Sequence, residues 1–397
     1  MIFNRVDAKK NCNLVITENQ NITETRDFEG LSATWSHFNE LPDDVLVAQL
    51  VCMKKTIDEA CPESLQGSWD LVNKKMNYVK KSLLTAKVDC NINCVYDIVP
   101  EHILLDYYNV KNQITKHIID NTQRPKIYDH LHATSTILSE IKSRKVNIDM
   151  TKLKRALGPS KINRFFKKLK NMALHVNYDI FGTKTGRLTC KRGTFPILNL
   201  DKELRKFIVP NNDLFLEIDV NGAELRALLF LLNKKQPSVD IHDWNCKNIF
   251  KDSTTRDEAK KRVFAWLYNQ ESKDDLLNAE YDRDSIKNKF FDGQKILTPY
   301  NRNIECDEFH AVNYILQSFS NDMILEQAQK INLTLKDRNS NIAFLMHDSL
   351  ILDYSSEDSA HVIELVNMFE NTRFGKTRAN VKIGKNLLDL REVSWNK

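Results

Sequence analysis

Residues 344–354 read FLMHDSLILDY, an apolar run interrupted by the polar triplet His347-Asp348-Ser349. The flanks predict two buried strands with the triplet as their turn. Burying an unpaired carboxylate costs several kcal/mol, so Asp348 calls for a partner. The stretch LFLEIDVNGAELRALLFLL (214–232) supplies a candidate, because it reads as an apolar strand that breaks at Asp219 and restarts as a helix from about Gly222. Two such strands side by side would bring two carboxylates together, with no Lys or Arg next to either in the sequence. That is unfavourable unless a divalent metal sits between them. Oxygen-only ligands suit Mg²⁺, and a pair of aspartates holding two such ions is a frequent arrangement for phosphoryl transfer. On spacing alone, two separately satisfied turn aspartates remain the other reading.

A third segment bears on the choice. TTRDEAKKRVFAWLYN (254–269) opens with Thr255-x-x-Glu258, a capping box that predicts a helix start. Arg256, Lys260, Phe264 and Tyr268 then recur four apart along one face. Two cations followed by two aromatics can hold a triphosphate at one end and a base at the other. An amphipathic helix with its aromatics in the core is the plainer alternative. Upstream, Asp240-Ile241-His242 offers a further phosphate contact. The run TKLKRALGPSKINRFFKKLK (151–170) carries eight cations and no acid. A solvated helix face usually mixes signs, so a one-sign run with Phe165 and Phe166 interleaved suits a phosphate backbone better.

Composition narrows the class. At 397 residues, 42% hydrophobic and 28% charged, the chain is an ordinary globular sequence with room for more than one domain. The net charge of +5 is mild. No uncharged apolar stretch is long enough to span a bilayer, and MIFNRVDAKKNCN lacks the apolar core of a signal peptide, so no membrane association and a cytoplasmic location are expected. The eight cysteines are scattered. Only Cys90-x-x-x-Cys94 is close-set and no second pair matches it, so reduced thiols are expected rather than zinc. Residues 1–100 are Asn-rich and weakly periodic, 98–150 read as helices, 233–300 as a polar helical insert and 309–331 as another helix. Strands and helices mix without regular βαβ alternation, which predicts an α+β fold.

The three segments together resemble the A, B and C motifs of family A DNA polymerases, the group of bacterial DNA polymerase I and many phage enzymes. The first motif, Asp-Tyr-Ser-x-x-Glu-x-Arg, is matched by Asp219, Glu224 and Arg226. The second is matched by Arg256, Lys260, Phe264 and Tyr268, and the third, His-Asp-Glu, by His347 and Asp348 followed by Ser349. TKTGRLT (183–189) resembles the primer-contacting stretch of the family, DIHDWNCKNIF (240–250) the segment leading into its fingers helix, and Asn313-x-x-x-Gln317 with Asp322 its template-side helix. IKSRKVNID (141–149) resembles the opening of the thumb. The likeness spans roughly residues 98–397 in the family's order.

The resemblance implies a right-hand fold of compact phage or viral type. Palm would come from 186–232 and 301–397, fingers from 233–300, a helical connector and short basic thumb from 98–185, and an N-terminal region from 1–97. It implies a template-directed DNA polymerase that uses two Mg²⁺ ions, with Mn²⁺ able to substitute, held by Asp219, Asp348 and the Val220 carbonyl. Lys260 would act as proton donor, and Arg256, Lys260 and His242 would grip the triphosphate. Glu224 and Phe264 would select deoxyribose, and Tyr268 would stack near the insertion site. Arg187, Thr185, Asn313, Gln317 and His347 would contact DNA, with Lys161, Arg164, Lys167 and Lys168 gripping the duplex backbone. The expected partners are primer–template DNA, deoxynucleoside triphosphates and, given the short thumb, a processivity or replication accessory protein.

Several positions depart from the family pattern. Ser349 stands where the family has a second carboxylate. His-Asp-Ser occurs in single-subunit RNA polymerases, so an RNA polymerase or primase is one alternative, opposed by Glu224 and Phe264 because they touch the sugar. A non-catalytic nucleic-acid-binding protein on a degenerate polymerase fold is the other. Val220, Gly222, Ala265 and Asn269 replace the usual Tyr, Gln, Gly and Gly. Relatives carry a proofreading exonuclease near the N-terminus. Here Tyr108-x-x-x-Asn112 replaces Tyr-x-x-x-Asp, and only Asp27-x-Glu29 imitates the first exonuclease motif, so a reduced, inactive remnant is expected.

Overall fold

The computed structural model describes residues 2–6, 11–16, 22–25, 36–38, 46–53, 55–88, 98–269 and 271–393. Asp27, Glu29, Cys90 and Cys94 lie outside them. The chain forms two compact units, Met1–Arg144 and Lys145–Lys397. The expected mixture of helix and sheet is present in both. Among the described residues no helix is long and apolar enough to cross a membrane.

The first unit holds a four-stranded sheet of β1 (Ile2–Val6), β2 (Asn11–Ile16), β3 (Ile22–Thr25) and β4 (Ser36–Phe38). Its order is β3-β2-β1-β4, with only the β1–β4 pair parallel. Helices α1 (Leu46–Val51), α2 (Glu63–Thr85), α3 (Glu101–Asn121) and α4 (Tyr128–Ser143) follow. Trp69, Val72 and Met76 recur on one face of α2, as an amphipathic helix requires, and pack with Leu104, Tyr107 and Tyr108 of α3. The Trp69 and Tyr107 ring centroids lie 5.1 Å apart. Tyr108 and Asn112 both lie on α3, Tyr108 fully buried.

The second unit begins with the basic run, folded as α5 (Met150–Arg155) and α6 (Ser160–Leu169), and a small hairpin of β5 (Tyr178–Asp179) and β6 (Thr189–Cys190). Then come β7 (Leu214–Val220) and α7 (Ala223–Leu231). Helices α8 (Ile241–Asn248), α9 (Arg256–Tyr268), α10 (Asp275–Tyr281) and α11 (Arg283–Phe290) form the predicted helical insert. Hairpin β8 (Lys295–Leu297) and β9 (Asn303–Glu305) leads into the long α12 (Glu308–Thr334). The rest is β10 (Asn341–Met346), β11 (Ser349–Tyr354), α13 (Val362–Glu370), the short pair β12 (Asn371–Thr372) and β13 (Gly375–Lys376), β14 (Ala379–Gly384) and β15 (Arg391–Glu392).

The main sheet runs β10-β11-β7-β14-β15, all neighbours antiparallel, so β7 is central. Its core residues Leu216, Ile218, Leu350 and Leu352 are at most 1% exposed. Each such side chain contributes about 1.5–3 kcal/mol over leaving it in water, which holds the register and with it the two aspartates. Gly222 ends the strand in the left-handed region, φ 65°, and N-caps α7. A Cβ there would sit 2.4 Å from Ile241 Cγ2, so glycine lets α8 close against the strand end.

Candidate active site

The β7–β11 register sets Asp219 opposite Ser349, and the Val220 N–H donates to the Asp348 carbonyl at 3.2 Å. Residues predicted from two separate stretches therefore meet at one end of the sheet. His347, with φ 54°, takes the left-handed conformation that turns the chain. The Ser349 hydroxyl donates to the Met346 carbonyl at 2.9 Å, so it serves the turn. Among the described residues no hydrogen bond or ion pair engages the Asp219 or Asp348 carboxylate. Burial, then repulsion from Glu217 and Asp348, pushes the Asp219 carboxyl up to about 7, with Lys382 and Lys260 opposing. Burial likewise raises Asp348, against Arg187 and His347.

No Lys or Arg adjoins these aspartates in the sequence, but the fold brings cations near them. Lys382 of β14 pairs with Glu217 at 2.9 Å and also attracts Asp219. Nothing in the sequence pattern announces this, because Lys382 reaches Glu217 only through the β7–β14 register. Even so, burial outweighs these cations. A pair of half-buried carboxylates with unused oxygens suits a hard divalent ion that keeps its other positions for water and phosphate. Among the described residues no group of three or more His, Cys, Asp or Glu side chains is placed to hold a metal ion.

Helix α9 starts with the predicted capping box. Thr255 Oγ1 accepts from the Glu258 N–H at 3.4 Å, and Glu258 Oε2 accepts from the Thr255 N–H at 2.9 Å. Along its face Lys260 Nζ stands 5.9 Å from the Phe264 ring centroid. The Phe264 and Tyr268 rings stack at 5.6 Å and 5°. These aromatics are half-buried, whereas Ala259, Val263, Trp266 and Leu267 form the core face. His242 is buried, its Nδ1 has no hydrogen-bond partner among the described residues, and burial brings its pKa down to about 4. Its ring centroid lies 5.9 Å from that of Phe264.

Glu224, only 5% exposed on α7, accepts from Arg187 Nη2 at 2.5 Å and from the Tyr268 hydroxyl. Burial raises its carboxyl to about 7, with Arg187 opposing. This triad joins three separately predicted residues. Gly186, φ 81°, precedes Arg187 and rests on the Arg302 guanidinium, where a Cβ would come within 2.5 Å of Cζ. Asn321 Nδ2 donates to the Gly186 carbonyl at 3.0 Å. Arg302 and Asp322 form a buried two-bond pair at 2.9 and 2.6 Å. Thr185 is buried within this turn rather than offered to solvent.

Asn313 and Gln317 lie half-buried on α12, and Asn313 Oδ1 has no partner among the described residues. In the basic run Lys161, Arg164, Lys167 and Lys168 are exposed, with Lys161 paired to Asp201 at 3.1 Å. Phe165 is core, 6.3 Å from Phe195, so of the two aromatics only Phe166 is partly open. The motif match includes Arg226 but gives it no role, and it says nothing of Asn221. Arg226 is fully buried, and burial lowers its pKa to about 10. It donates to the carbonyls of Asn221, Pro237 and Val239 at 2.6, 2.9 and 2.9 Å.

No protein-family model matches the chain, and no curated protein matches it. Among the solved structures that resemble it is the POL domain of Pol1 from M. smegmatis in complex with DNA primer-template and dNTP. The likeness covers 73% of this chain and 75% of that one, with a TM-score of 0.55 and 14% identity. At that identity the shared property is the fold, that of a polymerase domain.

Proposed function

We propose that the chain is a template-directed DNA polymerase of the family A type, extending a primer 3′-hydroxyl with deoxynucleotides. The observation that carries this reading is the meeting of Asp219 and Asp348 at the β7–β11 end, unpaired and destabilised as anions. The cationic and aromatic face of α9 belongs to the same unit and supports it, as does the fold likeness to a domain solved with primer-template and dNTP. Asp219, Asp348 and the Val220 carbonyl would hold two Mg²⁺ ions. When bound, such ions lower the pKa of the attacking hydroxyl and offset charge on the triphosphate.

The chain's own groups do the rest. Arg256 and Lys260 bind phosphate oxygens, and Lys260, the cation of α9 that attracts Asp219, gives its proton to the departing pyrophosphate. His242, held neutral by burial, donates or accepts a single hydrogen bond there without adding charge. The stacked Phe264–Tyr268 pair offers a flat surface to the base and sugar. Glu224, pinned by Arg187 and Tyr268, fills the space a ribose 2′-hydroxyl would need. Arg187, Asn313, Gln317 and His347 face the primer–template, and the exposed cations of α6 grip its backbone.

The right-hand layout assigns palm to 186–232 and 301–397, fingers to 233–300, and connector and thumb to 98–185. Residues 1–97 form the region without proofreading activity, and the reduced thumb calls for a processivity partner. The test is primer extension on a DNA template with Mg²⁺, comparing deoxy- and ribonucleotides, with Asp348→Ala as control. Extension with deoxynucleotides, lost in the variant, is expected. Equal use of ribonucleotides would favour an RNA polymerase, and DNA binding without any extension would favour a non-catalytic binding protein.

A further inference from the structure

Asp240 divides its two carboxylate oxygens between two tasks. Oδ1 caps α8, accepting from the His242 and Asp243 N–H groups at 2.9 and 3.1 Å. Oδ2 faces the other way and accepts from Asn221 Nδ2 at 2.6 Å and from Arg256 Nη2 at 2.8 Å. Asn221, 2% exposed, is itself fixed on every side. Its Oδ1 accepts from the Ile241 N–H at 2.9 Å and from Arg226 Nη2 at 3.2 Å, and its own N–H donates to the Arg378 carbonyl at 3.0 Å. A continuous set of bonds therefore runs from the turn after Asp219, through Asn221 and Asp240, to the first residue of α9.

We infer that Asp240, oriented by Asn221, is a positioning residue that aims Arg256 at the triphosphate. The inference rests on the phosphate-binding role proposed above for Arg256. An arginine on a helix surface is a long, many-rotamer side chain, and ordering it on binding costs affinity. Asp240 removes that cost beforehand by anchoring the guanidinium at Nη2. The other two nitrogens are not consumed by hydrogen bonds, since Nε lies 3.8 Å from Asp243 and Nη1 3.7 Å from Asp257, beyond hydrogen-bond reach. Arg256 thus keeps donors on Nε and Nη1 for phosphate oxygens while Asp240 holds Nη2. Through Asn221 the anchor is referenced to the strand that carries Asp219, so phosphate grip and carboxylates share one frame. The Asp240 carboxyl lies well below the usual carboxylate range. Burial opposes that depression, but the bonds from Arg256 and Asn221 overcome it, so the anchor is an anion across the working pH range.

The split between the oxygens gives a clean variant. Asp240→Asn keeps the Oδ1 cap and replaces Oδ2 with a donor facing two donors. The measurement is equilibrium binding of a deoxynucleoside triphosphate to the full chain on primer–template, with steady-state extension alongside, in Asp240→Asn, Arg256→Ala and the double variant. Loss of a charge-assisted anchor should weaken triphosphate binding about tenfold in Asp240→Asn, with kcat changed far less. In the Arg256→Ala background the same change should cost less than about twofold, because two residues acting through one contact are not additive. Asn221→Ser, which withdraws the donor to Oδ2, should shift binding the same way as Asp240→Asn. Tighter binding in Asp240→Asn would mean that Asp240 competes for Arg256 and would overturn the inference. An equal loss in both backgrounds would mean that Asp240 acts by a route other than Arg256 and would overturn the inference, and unchanged binding in Asn221→Ser would remove Asn221 from it. Wild-type binding without extension would sink the polymerase reading while the binding cycle still decides this one. Absence of triphosphate binding would sink both.

Discussion

Asp322→Asn should be among the most destabilising near-isosteric changes in the second unit. Asp322 is 0% and Arg302 4% exposed, and two bonds of 2.9 and 2.6 Å join them. The substitution keeps the shape but leaves a guanidinium buried without its counter-charge. Removing one partner of such a pair costs about 3–5 kcal/mol, and at roughly 2–4 °C per kcal/mol for a unit of this size the melting temperature should fall by about 6–20 °C. The penalty belongs to the orphaned charge rather than to the lost bonds. Arg302→Met combined with Asp322→Leu should therefore recover most of the stability, because apolar side chains of similar volume replace a buried pair at little net cost. The assay is urea and thermal denaturation of the wild type, the single variant and the double variant. A loss below about 1 kcal/mol in Asp322→Asn would refute the assignment of an uncompensated buried charge. So would a double variant no more stable than the single. The double variant should still be impaired in nucleotide selection, because Gly186 loses the guanidinium on which the Arg187 turn rests.

Glu224→Ala should lower the preference for deoxy- over ribonucleotides by about 10- to 200-fold, the range set by excluding or admitting one small group in a pocket, measured as the ratio of kcat/KM values. His242 gives a pH signature. Its pKa is near 4 folded against 6.5 unfolded, so the unfolded state binds more protons between those values and stability falls as pH drops through that window. Relative to His242→Asn, the wild type should lose about 2 kcal/mol between pH 7.5 and pH 5 in urea denaturation, and parallel curves would contradict the buried neutral imidazole. Removing Lys161, Arg164, Lys167 and Lys168 together should reduce the slope of log affinity for duplex DNA against log salt by about 3, at roughly 0.9 per phosphate contact. Lys161→Ala alone should change the slope least, since Asp201 already neutralises it at 3.1 Å.

The parts of the site that could be read from the sequence are those whose cause is local. The capping box at Thr255 and Glu258 closes within one turn, and the four-residue spacing of Arg256, Lys260, Phe264 and Tyr268 is a property of any helix. The strand ends at Asp219 and Asp348 show as polar breaks in apolar runs because the core tolerates such a break only at a turn. What could not be read is the set of bonds that joins these pieces. Asn221 and Asp240 are 19 residues apart, Arg302 and Asp322 20, and Glu217 and Lys382 165. None of these pairs repeats with a period, so no pattern marks it. Phe165 and Phe166 make the same point on a smaller scale. A basic run with two aromatics looks like a stacking surface, but adjacent residues on a helix point about 100° apart, so one faces the core and the other Lys170. Motifs therefore name the chemistry of a site, while register and buried polar contacts decide whether its groups can act together. Asp240 illustrates this: its sequence neighbourhood suggested a phosphate contact, whereas its bonds make it the anchor of the residue that would make that contact.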